Sequence, residues 1–276
     1  MKPVIFTDLD GTLLKATDYS FAEALPALER IKERGIPLVI ASSKTRAEIE
    51  AVRARLGTGG PFISENGGGV YIPQGCFPFP VEGSETGGYT VIVLGTPYGE
   101  VRKAFEEIRV GLGVDIRGFG DMTAGEVSEV TGLAPEDAAF ALEREFDEPF
   151  LFKGDGGDGG DGERLRGVLD EIERRGFRWT RGRLLHMLGP HDKGRAVRIL
   201  KRHYTGLYGK VVAIGLGDGW NDMEMLREVE RPVLVRREDG THEEPPREIP
   251  GLLRADGVGP AGWNSAVIDI LEEIDR

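Results

Sequence analysis

Residues 4–14 read Val-Ile-Phe-Thr-Asp-Leu-Asp-Gly-Thr-Leu-Leu, an apolar run that ends in two aspartates one residue apart. A run this short, stopped by charge, suits a buried parallel strand and not a spanning helix. Such a strand carries Asp8 and Asp10 to its C-terminal end, where open α/β sheets bind ligands. Side chains at i and i+2 of an extended segment share a face, and a turn starting at Gly11 lets the two carboxylates take separate roles. An EF-hand calcium loop opening at Asp8 needs Glu at its twelfth position and meets Tyr19 there, so that reading fails. An ordinary turn suits the same residues, and the rest of the chain has to decide.

Apolar residues at helical spacing over 21–34, the stop at Gly35 and the apolar stretch 37–41 predict a helix followed by a second strand. Thr45 and Glu48 form a capping box for a helix reaching residue 56, and 62–64 reads as a third strand. This alternation predicts an α/β fold with a doubly wound, Rossmann-like parallel sheet and right-handed crossovers. The pattern breaks over the Pro- and Gly-rich residues 78–88. A mixed α+β module follows, with strands expected at 89–94, 150–153, 177–180 and 184–188 and helices at 98–110, 123–132, 135–146 and 164–175. Alternation resumes with a helix at 193–204, a strand at 211–216, a helix after Trp220, a strand at 233–236 and a closing amphipathic helix over 263–274. The expected organisation is a core of residues 1–83 and 189–276 interrupted by an insert of residues 84–188. The period-three aspartates of 153–163 imitate a calcium repeat, but one short tract cannot stack, and a loop is expected there.

With 276 residues, 39% of them hydrophobic, the chain is long enough for such a core and insert. A net charge of −12 argues against a nucleic-acid backbone as partner while leaving room for a local basic pocket that holds a small anion. Cys76 is the single cysteine, no apolar run reaches transmembrane length, and the first residues lack the features of a signal peptide. A cytoplasmic protein without a membrane partner is the expectation; oligomeric state is not legible. Asn66, Asn221, Asn264 and Gln74 are the only side-chain amides amid many charged residues, which suits a thermophilic source or a high-GC coding bias.

A second acidic cluster, Gly215-Leu-Gly-Asp-Gly-Trp-Asn-Asp222, follows the strand expected at 211–216. It is not a dinucleotide fingerprint, because Trp220 stands where the third glycine belongs. Hard oxygen ligands at two strand ends suit Mg²⁺, although Asp218 or Asn221 would equally cap the next helix. Ser42 and Ser43 end the second strand just before a helix, where a hydroxyl and amides can hold phosphate oxygens. Lys193 opens a helix, where an ammonium can neutralise phosphate and a carboxylate together.

Taken in order, Asp8-x-Asp10, Ser42, Lys193 and Gly217-Asp218 with Asp222 resemble the four motifs of the haloacid-dehalogenase-like phosphohydrolase superfamily, and the insert resembles its type-C2 cap. Ser64-Glu-Asn-Gly-Gly, the stretch from Arg144 to Phe150, Gly259-Pro-Ala-Gly-Trp-Asn264 and Ser43-Lys44-Thr45 resemble the mannosyl-3-phosphoglycerate phosphatase family more narrowly. The resemblance implies Asp8 as nucleophile, Asp10 as general acid and base, and Ser42 and Lys193 around the phosphoryl group. It implies Mg²⁺ held by Asp8, the Asp10 carbonyl and Asp218, with Asp222 as a direct or outer partner. The implied substrate is a small phosphorylated sugar acid, and the product mannosylglycerate, a compatible solute. Such a substrate carries a carboxylate, for which Arg181 and Arg183 are candidates. Ser43, Lys44, Glu65, Asn66 and Asn221 are expected to face the insert and touch substrate, and His186 reads equally as one more such contact or as a satisfied polar residue in a strand. The alternatives are a sucrose-phosphate, trehalose-phosphate or broad sugar phosphatase, a phosphomutase, and a non-catalytic sugar-phosphate-binding regulator that keeps the fold.

Overall fold

A computed structural model describes residues 1–152 and 160–276. The chain starts with β1 (Lys2–Thr7), α1 (Leu25–Glu33), β2 (Leu38–Ala41), α2 (Arg46–Leu56), β3 (Phe62–Ser64), β4 (Gly69–Pro73), β5 (Ser84–Thr86) and β6 (Tyr89–Val93). It continues through α3 (Tyr98–Leu112), β7 (Ile116–Gly118), α4 (Ala124–Thr131), α5 (Pro135–Ala141), β8 (Asp147–Phe152), α6 (Gly160–Arg174), β9 (Arg178–Arg181) and β10 (Leu185–Leu188). It ends with α7 (Lys193–Tyr208), β11 (Val211–Gly217), α8 (Met223–Arg227), β12 (Arg231–Arg236), β13 (Leu253–Val258) and α9 (Gly259–Asp275).

The larger sheet runs β13-β12-β11-β1-β2-β3-β4-β6-β5, with β13 through β3 mutually parallel. Its centre is dictated by the opening run. Val4, Ile5 and Phe6 are fully buried, Ile5 in the cluster shared with α1 and α9, Val4 and Phe6 in the cluster shared with α7 and α8. Helices on both faces are what a continuous apolar strand requires, and each buried side chain contributes about 1.5–3 kcal/mol. The register sets Thr7 opposite Leu216, so β1 and β11 end level and their acidic loops lie side by side.

Two strands depart from the expected domain boundary. The residues of β6, read as the start of the insert, pair antiparallel with β4, and β5 pairs with β6, so both extend the core sheet. The stretch 78–88, read as linker, therefore contains an edge strand, and the chain leaves the core only after Leu94. We accordingly place the insert at residues 95–188. Its two ends touch: a Cβ on Gly189 would lie 2.2 Å from Thr96 Oγ1.

The insert is α+β, with a four-stranded antiparallel sheet in the order β7-β8-β10-β9. Val101, Phe105, Val168 and Ile172 of α3 and α6 pack on Ile116, Phe150 and Met187 of that sheet. The short helices α4 and α5 form a second cluster around Val127 and Ala138 and lean on the core, where Thr45 Oγ1 donates to the Phe140 carbonyl at 2.8 Å. The helix expected over 135–146 stops at Ala141 because the amides of residues 145–147 are taken by Glu65 of the core. The Gly/Asp-rich loop expected at 153–163 lies outside the described residues up to 159, and α6 starts at Gly160.

Candidate active site

The loop after β1 is held from both sides. The Asp8 amide donates to the Leu216 carbonyl at 2.9 Å, and Trp263 Nε1 of α9 donates to Thr7 Oγ1 at 2.9 Å. Leu14 and Thr12 amides both return to the Leu9 carbonyl, closing a tight turn in which Gly11 has φ +81°. Glycine is required here twice over, since a Cβ would also lie 2.6 Å from Asp218 Oδ2. Thr12 Oγ1 donates to Asp218 Oδ1 at 2.8 Å, tying the first acidic loop to the second.

Lys193 is fully buried at the start of α7, and its Nζ donates to Asp8 Oδ1 and to Asp222 Oδ1, each at 2.7 Å. The other Asp222 oxygen accepts the amides of Asp218 and Gly219, both at 3.0 Å, so that carboxylate is occupied with orienting the loop. Burial and the neighbouring Asp222 push the Asp8 carboxyl up to about 7, against the pull of Lys193. Burial, Asp222 and Asp8 raise Asp218 well above the ordinary carboxylate range. Burial opposes the charge of Lys193 as well, yet Asp222 and Asp8 hold it above its usual value, so it stays protonated.

These groups fit a magnesium ion. Carboxylate oxygens of Asp8, Asp218 and Asp222 lie within 4.8 Å of one another, and Asp10 Oδ1 is buried with no hydrogen-bond partner among the described residues. Crowded, hard oxygen donors whose charge is incompletely balanced by one lysine are what a divalent cation neutralises.

A cavity of about 530 Å³ opens over this cluster between core and insert, a size suited to a small organic ligand. Asp8, Asp10 and Asp218 form its floor, and Ser43, Lys44 and Asn221 line its core side. Ser42 lies buried directly behind that wall, its Oγ accepting the Lys44 amide at 3.3 Å. Lys44 is itself buried, with Nζ 3.0 Å from Asp10 Oδ2 and 3.1 Å from Glu48 Oε1, over the ring of Tyr19. Arg181 and Arg183 line the opposite side from the insert. Arg181 reaches Glu243 of the core at 3.5 Å, and Arg183 donates to Tyr19 Oη at 3.1 Å.

Glu65 and Asn66, expected to touch substrate, do not line this cavity. The Glu65 carboxylate is fully buried and accepts the amides of Glu145, Phe146 and Asp147 at 2.7–3.1 Å, which leaves it nothing for a ligand. Asn66 bridges the domains, donating to Asp147 Oδ2 at 2.8 Å and accepting from Asn221 Nδ2 at 3.1 Å. His186 lines the cavity and is at the same time buried and partnered, 3.1 Å from Asp147 Oδ2, and burial followed by Arg144 and Lys193 pushes it down to about 3. Arg144, which opens one of the family-like stretches without being read as a site residue, lines the cavity, and its Nη2 donates to the Ser43 carbonyl at 2.9 Å. The signal available in the sequence is its place at the head of the stretch from Arg144 to Phe150.

Residues 5–76 match the haloacid dehalogenase-like hydrolase family. In overall fold the chain is similar to a crystal structure from Thermoplasma acidophilum, with a TM-score of 0.65 over 100% of this chain and 99% of the other at 19% identity. Fold and site together define a phosphoric monoester hydrolase of the haloacid dehalogenase-like class. The chain is 43% identical over 276 residues to the glucosyl-3-phosphoglycerate/mannosyl-3-phosphoglycerate phosphatase of Persephonella marina, covering 99% of this chain and 98% of that one. It is 37% identical to the mannosyl-3-phosphoglycerate phosphatase of Pyrococcus furiosus, over 84% of this chain and 90% of the relative. The chain belongs to the mannosyl-3-phosphoglycerate phosphatase family. Among the described residues no helix is long and apolar enough to cross a membrane.

Proposed function

We propose that the chain is a Mg²⁺-dependent phosphatase that hydrolyses mannosyl-3-phosphoglycerate, and its glucosyl counterpart, through an aspartyl-phosphate. The observation that carries this reading is the buried Lys193 ammonium clamped between Asp8 and Asp222, with Asp8 itself on the floor of a cavity rimmed by arginines from the insert. Lys193 holds Asp8 Oδ1, so attack on phosphorus falls to Oδ2. The new O–P bond forms as the bond to the glycerate oxygen breaks, and Asp10 gives that oxygen its proton. Asp10 then takes a proton from water as it attacks the aspartyl-phosphate, releasing phosphate and restoring Asp8.

Asp8, Asp218 and the Asp10 carbonyl would hold the metal, with Asp222 orienting the loop from behind. When bound, Mg²⁺ offsets charge on the phosphoryl oxygens. In this reading Ser43, Lys44 and the amides after β2 hold the phosphoryl oxygens, and Ser42, given that role by the resemblance, supports them from behind the cavity wall. Arg181 and Arg183 supply the cations a glycerate carboxylate needs. Phosphate release should be measured on mannosyl- and glucosyl-3-phosphoglycerate, sucrose-phosphate and trehalose-phosphate, with Mg²⁺ and with chelator. Fastest turnover of the phosphoglycerates, silenced by chelator, is expected. Equal or better turnover of the sugar phosphates that lack a carboxylate would refute the substrate assignment, and full activity in chelator the metal.

A further inference from the structure

Glu65 and Asn66 follow β3 in left-handed backbone, φ +45° and +56°. Asparagine tolerates that region and glutamate seldom adopts it. Conformations of this kind persist where the surroundings over-determine them, and they concentrate at functional sites. Here the surroundings are the insert. Three successive amides, from Glu145, Phe146 and Asp147, converge on the one Glu65 carboxylate, which also lies 3.5 Å from Arg144 Nε. These residues lead into β8, a central strand of the insert sheet that starts at Asp147.

The contact is tight as well as polar. Gly68 and Gly95 flank Phe146 so closely that a Cβ on either would fall within 2.7 Å of its Cβ. Asp147 is fully buried and gathers Arg144, His186 and Asn66 around its carboxylate. Two of those neighbours, Arg144 and His186, face the substrate cavity, while Asn66 passes the contact on to Asn221, which faces it from the core.

We propose that Glu65 and Asn66 are positioning residues that dock the insert against the core in register, so that the insert's cavity wall meets the catalytic loops in its working geometry. Neither touches substrate; both act through Asp147, Arg144, His186 and Asn221. Their effect therefore falls on substrates that need the insert's wall and spares a small phosphate ester that needs the core alone. An error of about 1 Å in placing such groups costs on the order of a hundredfold in rate.

The test compares two substrates in the intact enzyme with its metal. Glu65→Gln keeps the shape but sets an amide against three N–H donors, and Asn66→Asp sets a carboxylate against Asp147. Each should lower kcat/KM for the best sugar-phosphate substrate by about a hundredfold while p-nitrophenyl phosphate turnover stays within about threefold. Glu65→Asp, which restores the carboxylate, should recover part of the loss. Equal losses on both substrates, or no loss on either, would overturn the proposal. Should Glu65→Gln fail to fold, Asn66→Ala is read by the same ratio. The phosphoglycerate assignment supplies the substrate expected here, but the ratio is taken with whichever sugar phosphate the wild type prefers, so failure of that assignment is seen in the wild type and failure of the docking role in the variants.

Discussion

Removing the Lys193 ammonium should destabilise the protein strongly at alkaline pH and much less at acid pH. In Lys193→Met the two carboxylates that Nζ now meets at 2.7 Å lose their counter-charge while staying buried beside Asp218. At that separation each pair is worth about 6 kcal/mol for an effective dielectric of about 20. Relief from burying the ammonium offsets much of the sum, and breaking a buried ion pair from one side typically costs about 3–5 kcal/mol. Lys193 is what holds Asp8 down, so its loss raises a carboxyl already pushed up to about 7. A carboxyl raised in the fold takes up its proton as pH falls and is then neutral, so the penalty is full above that range and fades below it. Urea unfolding in the presence of chelator should show a loss of about 3–5 kcal/mol at pH 9 that shrinks by more than half at pH 6. A loss below about 1 kcal/mol, or one that is the same at both pH values, would refute the electrostatic account.

Two further outcomes follow from the site. Asp8→Asn should abolish turnover without lowering the thermal midpoint, because it removes the attacking oxygen along with a crowded buried charge; measurable phosphate release above the uncatalysed rate would remove the nucleophile assignment. His186 is held neutral, pushed down to about 3 by burial and its cationic neighbours, whereas an unfolded histidine protonates near 6.5. The unfolded state therefore gains a proton first, and this contribution to stability is lost as pH falls from about 6.5 toward 3. His186→Asn should shed about 2–3 kcal/mol less than wild type between pH 7 and pH 4.5 in denaturant melts, and an identical slope would count against it.

The core was legible because its chemistry sits at ends of strands that are apolar throughout. Asp8 and Asp218 each follow a run with no period to confuse, and level strand ends bring them together without any long-range information beyond strand order. Ser43 and Lys44 follow the same rule after β2. Glu65 and Asn66 sit at a strand end too, which is why they read as substrate contacts; what sends their side chains elsewhere is the segment 145–147, 80 to 82 residues beyond Glu65 in the chain. The strand β6 was misassigned for a related reason. Nothing in Tyr89–Val93 says which sheet it joins, and the Pro- and Gly-rich stretch before it marks an edge hairpin and not a domain boundary. Arg144 is legible only as the first residue of a family-like stretch, inside a helix expected to reach residue 146; its place at the cavity depends on Asp147 and on the Ser43 carbonyl, 101 residues earlier.

The contact between Thr96 and Gly189 makes the chain's excursion a closed loop: it departs and comes back through one doorway. A core of this shape is a socket, into which modules of different design could be spliced without redrawing the sheet around them, as neighbouring ends permit for inserted domains generally. The socket is keyed by Glu65 and Asn66, Glu65 the more demandingly. Any replacement module must present its own three amides to Glu65, or the carboxylate must be exchanged with it, since a charge left buried without donors would unseat the graft.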